Sequence, residues 1–128
     1  MQVFPSIDEI NNILDEIVLE IPKEFFYELN EGIVLLPEFK LHKMSNDESP
    51  LYILGEYHVS ITGRHIRIYY GSFLKVYPNR SIEFLRSRLK ETLLHEFTHH
   101  LESLAGESDL VKKDTNDLIK YLHKKNKF

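Results

Sequence analysis

The sequence predicts an α+β fold in which helices at both ends of the chain enclose a strand-rich middle. Three observations predict it. Apolar residues recur at helical spacing from Ile7 to Ile21 and again from Leu85 to Leu104. Between them, short β-branched or alternating runs at 33–36, 51–61 and 66–70 read as strands. At 128 residues, 42% hydrophobic and 28% charged, the chain fits one domain, residues 1–128, with a core of modest size.

The elements follow in order. Ser6 and Glu9 form a capping box ahead of Ile7, Ile10, Ile13, Leu14, Ile17, Val18 and Ile21, the apolar face of a first helix that Pro22 ends. Phe25, Phe26 and Leu29 suggest a short helical turn. Gly32 leads into Ile33-Val34-Leu35-Leu36, a brief buried strand stopped by Pro37. Residues 43–50 are a polar loop. Residues 51–61 hold a broken strand with Gly55 as its bulge or turn. Ile66, Ile68 and Tyr70 alternate with Arg67 and Tyr69 in a half-buried strand that Gly71 closes. One helical turn precedes Pro78. Ser81 caps a long helix, with Glu83 in its first turn, that runs to about Ala105 and stops at Gly106. A last helix is expected over about 114–125, capped by Asp114.

Composition excludes several classes. With no cysteine there is no disulfide framework, no thiolate metal site and no cysteine nucleophile, so any metal must be held by His, Asp or Glu. No apolar run approaches the roughly eighteen residues that span a bilayer, and the N-terminus lacks a secretory signal, so a cytoplasmic protein without a membrane partner is expected. The formal net charge of −4 argues against nucleic acid as the main partner. Residues 1–64 carry 12 acids and 4 Lys/Arg, and residues 65–128 carry 8 acids and 12 Lys/Arg. Solvated helix faces of opposite sign explain this asymmetry. A nucleic-acid surface around Arg80, Arg86, Arg88 and Lys90 is the weaker explanation.

Chemistry is concentrated in His95-Glu96-Phe97-Thr98-His99, an HExxH motif inside the long helix. Two histidines four apart lie on one helix face, so both imidazoles can reach one zinc ion, and Glu96 between them is placed to act as general base on zinc-bound water. A random shuffle of this composition yields the motif in about one chain in twenty-five, so context decides. On a helical wheel with Leu93 at zero, Leu85, Leu89, Phe97, Leu101 and Leu104 share one side. His95 and His99 fall at roughly 200° and 240°, opposite that stripe. The competing explanation is two solvated histidines on an amphipathic helix.

A zinc peptidase needs a third protein ligand. The candidates are Asp109, Glu107 and Glu102. Glu102 must reach back more than one helical turn of about 5.4 Å. Asp109 and Glu107 follow Gly106, where the chain can fold back toward the metal, and Asp109 is favoured. Its competing role is an N-cap. His100 lies beside the leucine stripe and reads as a buried, hydrogen-bonded core histidine. His42, His58, His65 and His123 have no partner at ligand spacing, and of these only His58 could line a cleft.

The chain resembles the small prokaryotic zincin-like metallopeptidases, minimal matrixin-like domains with an HExxHH motif. The segments Leu54-Gly55-Glu56-Tyr57, Ile66-Arg67-Ile68-Tyr69-Tyr70-Gly71-Ser72-Phe73 and Leu94-His95-Glu96-Phe97-Thr98-His99-His100 carry the resemblance. It implies a zincin-like core: a small mixed sheet packed on helices, the HExxH helix under an edge strand, zinc held by His95 and His99, and Glu96 catalytic. In those relatives a Gly-x-x-Asp pair begins three residues after the second histidine. Here Gly106 and Asp109 stand four residues later. The expected function is a zinc metallopeptidase acting on a peptide or protein that lies along an exposed edge strand, with residues 66–70 as candidate and Tyr69 or Tyr70 as a candidate oxyanion donor. The alternative is a catalytically silent zinc-binding peptide-interaction or regulatory module.

Overall fold

The structure, a computed structural model, describes residues 3–106. Its first helix, α1 (Ile7–Leu19), begins with the expected capping box: Ser6 Oγ accepts from Glu9 N–H and Glu9 Oε1 accepts from Ser6 N–H. Ile10, Ile13, Leu14 and Ile17 are buried along one face. The helix ends at Leu19, short of Pro22, but Ile21 is buried all the same. A 3-10 turn at Lys23–Phe26 then places Phe25 in the core.

Five short strands follow: β1 (Ile33–Leu36), β2 (Lys40–Leu41), β3 (Tyr52–Ile53), β4 (Gly55–Ser60) and β5 (Gly63–Tyr69). Three make a mixed sheet of order β1-β5-β4, with β1 parallel and β4 antiparallel to β5. The pair β2–β3 forms a separate antiparallel ribbon. Two helices complete the described chain, α2 (Tyr70–Val76) and α3 (Ile82–Ala105). This is a small α+β fold with a mixed sheet and three helices. No helix among the described residues is long and apolar enough to cross a membrane. The helix expected over 114–125 lies outside the described residues.

The strand at 66–70 differs from expectation in two ways. It starts at Gly63 and ends at Tyr69, because Tyr70 already belongs to α2. It is also the central strand, not an edge, since β5 pairs on both sides. The strand that exposes an edge beside α3 is β4. Ile66 and Ile68 point into the core with α1 and α3, and His65, Arg67 and Tyr69 occupy the other face by alternation.

The core is built by the apolar stripe of α3. Leu85, Leu89, Leu93, Phe97, Leu101 and Leu104 are all buried, and Leu89, Leu93, Phe97 and Leu101 share one core cluster with α1, Phe25 and the sheet. Ser81 caps the helix by accepting from Phe84 N–H, and Gly106 ends it at φ −81°, an ordinary backbone angle. Ion pairs Lys90–Glu20 and Arg86–Glu16 tie α3 to α1 along its flank. Gly55 is where strand and helix come closest. A Cβ there would stand 2.9 Å from Thr92 Cγ2 and 3.2 Å from the Arg67 carbonyl oxygen, so the absent side chain lets β4 lie close against α3.

Candidate functional site

The stripe that buries one side of α3 turns His95 and His99 outward, and both are exposed. Their Nε2 atoms converge to 3.1 Å, with ring centroids 4.7 Å apart and the planes nearly perpendicular. At this distance one nitrogen donates and the other accepts, so at least one lone pair points into the space between the rings. Partial burial, and then the charge of His99, hold the His95 pKa below its ordinary value, while Glu102 pulls it the other way. Neutral imidazole is the form that binds a metal.

Glu102 sits on the far side of the second ring. Its Oε1 is 3.7 Å from His99 Nδ1, not near the converging Nε2 atoms. At that distance the carboxylate is a negative charge beside the Nδ1 edge of the ring and not a hydrogen-bond partner. Among the described residues no group of three or more His, Asp or Glu could hold a metal ion. Asp109, Glu107 and His123 lie outside the described residues.

Glu96 lies about 100° round the helix from His95, toward the seam between α3 and β4, and is 6% exposed. Burial pushes its pKa up to about 7, and the Glu56 carboxylate adds to that rise, while the nearby Tyr57 backbone opposes it. A carboxyl poised there can both take and return a proton near neutral pH.

Glu56, on β4, is the hub of a second polar cluster. Its carboxylate accepts two bonds from Lys40 Nζ at 2.8 and 2.9 Å, one from Tyr69 Oη at 2.6 Å and one from His58 Nε2 at 3.1 Å. Burial alone would raise its pKa, but the bonds from Lys40, Tyr69 and His58 outweigh it and hold the group at about 2. Lys40 is raised in return, chiefly by its bond to Glu56. A depressed carboxylate stabilises the fold fully above its unfolded pKa and loses that contribution as pH falls toward its folded value. Between pH 5 and pH 2 the native chain should therefore lose up to about 3 kcal/mol that Glu56→Gln does not lose. Urea unfolding of both proteins across that range checks this, and parallel curves would refute it.

Other expected residues have different work. His58 does not line a cleft with the HExxH pair: its ring stacks on His65, 5.2 Å between centroids and 10° apart, on the outer face of the sheet. His65 accepts from Arg67 Nε at Nε2 and meets Glu31 at Nδ1, so the proton of its neutral ring is on Nδ1. His42 accepts from Met44 N–H in a turn. Tyr69 gives its hydroxyl to Glu56 and Tyr70 gives its own to the Pro5 carbonyl, which removes both as oxyanion donors. The basic residues in and just before α3 are likewise committed: Arg86 to Glu16, Lys90 to Glu20, Arg88 to Glu91, and Arg80 over the Phe84 ring. His100 is fully buried, as expected. Sequence reasoning gave no role to Lys40, Glu56 or Tyr57. Each acquires its role from a partner distant in the chain, and no spacing signals it.

No family model and no curated protein matches the chain. A solved structure, a conserved hypothetical protein from Thermo thermophilus, is similar at 33% sequence identity with a TM-score of 0.68. The match covers 80% of this chain and 100% of that one. These findings correct the resemblance to zincin-like metallopeptidases drawn from the sequence. The similar structure carries no such description, no zincin model is matched, and the described residues lack a three-ligand group.

Proposed function

The chain belongs to the family of the conserved hypothetical protein from Thermo thermophilus, and for this member we propose zinc-dependent hydrolysis of peptide bonds. His95 and His99 are the ligands and Glu96 is the general base. The observation that carries this reading is the convergence of the two Nε2 atoms at 3.1 Å on α3, one residue from a buried carboxyl poised near neutrality. Two nitrogens bound to one tetrahedral zinc ion stand about 3.3 Å apart, so the pair fits that ion with little movement. Asp109 is the proposed third ligand, with Glu107 the alternative. Glu102 is assigned to the Nδ1 side of His99 instead.

The chemistry zinc supplies when bound is Lewis-acid polarisation of the scissile carbonyl and a lowered pKa for water. Glu96 takes the proton of the attacking water at its carboxylate and hands it to the leaving amine. Burial in the α3–β4 seam keeps that carboxyl basic enough to accept the proton at neutral pH. An extended peptide would lie along the unpaired edge of β4, where main-chain hydrogen bonds hold it beside Glu96.

Zinc content tests the metal half of this reading. Protein purified without chelator should hold about one zinc per chain, and His99→Ala should hold none. Absence of zinc from both proteins after reconstitution would overturn it. A second reading, a catalytically silent zinc-binding peptide-interaction or regulatory module, is favoured by the presence of only two ligands among the described residues. It predicts the same zinc content, no cleavage of a peptide library, and saturable peptide binding that survives Glu96→Gln.

A further inference from the structure

Phe84, in the first turn of α3, holds two guanidinium groups against one aromatic ring. Arg80 Cζ is 4.6 Å from the ring centre and Arg88 Cζ is 5.1 Å from it. Tyr77 meets the same ring edge-on at 5.3 Å and fixes it from the end of α2. Arg80 is exposed, and among the described residues no carboxylate pairs with it. Arg88 gives NH1 to Glu91, three residues on, with the two side chains 38% and 56% exposed. Such a surface pair contributes little and leaves most of the five N–H donors of the guanidinium unused. A cation–π contact likewise leaves the forked N–H edge able to take a carboxylate by two bonds at once.

The pair stands on the face of α3 that carries the two outward histidines. With Leu93 at zero on the helical wheel, Phe84 and Arg88 fall at roughly 180° and 220°, in line with His95 and His99. Arg88 precedes His95 by seven residues and Phe84 precedes it by eleven, which is about 10–17 Å along the helix axis. Strand β4 runs in the same direction as α3, since Gly55 packs at Thr92 and Tyr57 bonds His100 further along. A peptide laid on the edge of β4 and continued past Gly55 therefore heads for Arg88 and Arg80. At about 3.3 Å per extended residue, it reaches them roughly three to five residues from the bond beside Glu96.

We propose that Arg80 and Arg88, mounted on Phe84, form a carboxylate-binding subsite, so that the peptides this chain takes carry an acidic group about three to five residues from the point of attack. The inference rests on the reading of β4 and α3 as a peptide-binding site, and it holds for the hydrolase and for the silent module alike. The carboxylate is that of an Asp or Glu side chain or of the peptide's own C-terminus, since both offer the same two oxygens to a guanidinium fork. The chain carries a formal net charge of −4, so an acidic peptide is directed to the place where local positive charge outweighs that field. The rival explanation is that the two arginines brace Phe84 and Tyr77 at the start of α3 and bind nothing.

Titration of the native protein with short capped peptides of alternating Val and Thr separates the two. One series carries a single Glu at each position in turn, a second carries Gln instead, and a third is the Gln series with the C-terminus left free. Affinity is read by fluorescence anisotropy, and the Nε–Hε signals of Arg80 and Arg88 by NMR. The best Glu peptide should bind roughly tenfold more tightly than its Gln counterpart, the size of a hydrogen bond to a charged group, and should shift both arginine signals. The preference should shrink as salt rises. Arg80→Gln with Arg88→Gln should abolish it, and Arg80→Lys with Arg88→Lys should keep part of it. Arg80→Gln alone serves if the double variant folds poorly. A brace would affect Glu and Gln peptides alike and would leave the ratio unmoved. Recovery of tight binding by the free C-terminus assigns the subsite to a terminal carboxylate, and its absence assigns it to an acidic side chain. Equal binding of Glu and Gln peptides, or arginine signals that answer inorganic phosphate as strongly as the Glu peptide, would overturn the subsite and leave the hydrolase reading standing. No binding of any peptide would overturn both. Glu-selective binding without cleavage would keep the subsite and sink the hydrolase reading alone.

Discussion

Hydrolysis of any peptide that the native protein cleaves should fall by roughly 10²- to 10⁴-fold in Glu96→Gln, the range contributed by general acid–base groups. The variant should keep its fold and its zinc. Gln matches Glu in shape and volume, so the packing of the seam between α3 and β4 is kept. The buried position also tolerates a neutral group, because burial is the main force that pushes the Glu96 carboxyl up to about 7 in the first place. What Gln lacks is a basic site for a proton. Zinc content equal to the native protein, together with lost turnover, therefore isolates proton transfer from metal binding. A substrate cleaved by both proteins at the same rate would remove Glu96 from the mechanism.

The helix that carries the motif was legible because its signals are local. Ser81, the stripe from Leu85 to Leu104 and Gly106 lie in one continuous segment, and the burial of that stripe is what turns His95 and His99 outward. The capping box at Ser6 and Glu9 is local in the same way. The sheet was less legible. Alternation along 63–69 announces one buried and one polar face, but a central strand of a sheet that is covered on one side alternates just as an edge strand does. Nothing in His65, Arg67 and Tyr69 states how many neighbours β5 has. The boundary at Tyr70 was hidden because the alternating pattern runs straight into a helix whose second residue, Gly71, is placed by contact with the Glu38–Phe39 backbone.

The polar half of the site was hidden for a related reason. Lys40, Glu56 and Tyr69 come from three strands in two separate sheets, and their mutual distances exist only after those strands pack. The same holds for the bond between the Tyr57 hydroxyl and His100, which joins β4 to α3. A doubled histidine at 99 and 100 reads as two similar residues, but a one-residue step on a helix is about 100°. That rotation sends His99 to solvent and His100 to the core. The Glu102 assignment followed from similar geometry. It shares the ligand face by sequence, but its place three residues on brings it to Nδ1 of His99 and not to the Nε2 atoms.

Removal of the Phe97 ring should be the most damaging single change in the core. Phe97 is fully buried and lies between His95 and His99 in sequence. Its ring meets Phe26 edge-on at 4.9 Å and Phe25 at 6.1 Å, so it is the bolt between α3 and the 3-10 turn. Phe97→Ala should cost about 3–5 kcal/mol, from lost burial and the cavity left behind. Against a typical total of about 5–15 kcal/mol for a domain, that is a large share. The thermal midpoint should drop by roughly 10–25 °C. Phe97→Leu should cost much less, since most of the volume is kept, and Leu19→Ala, at a side chain 87% exposed, should change stability by no more than about 0.5 kcal/mol. The proposed zinc site extends this prediction: with docking of the opposite face of α3 expected to keep His95 and His99 in register, Phe97→Ala should weaken zinc binding without touching either histidine. A variant that loses stability but binds zinc with native affinity would show that α3 alone, and not its docking, sets the distance between the two rings.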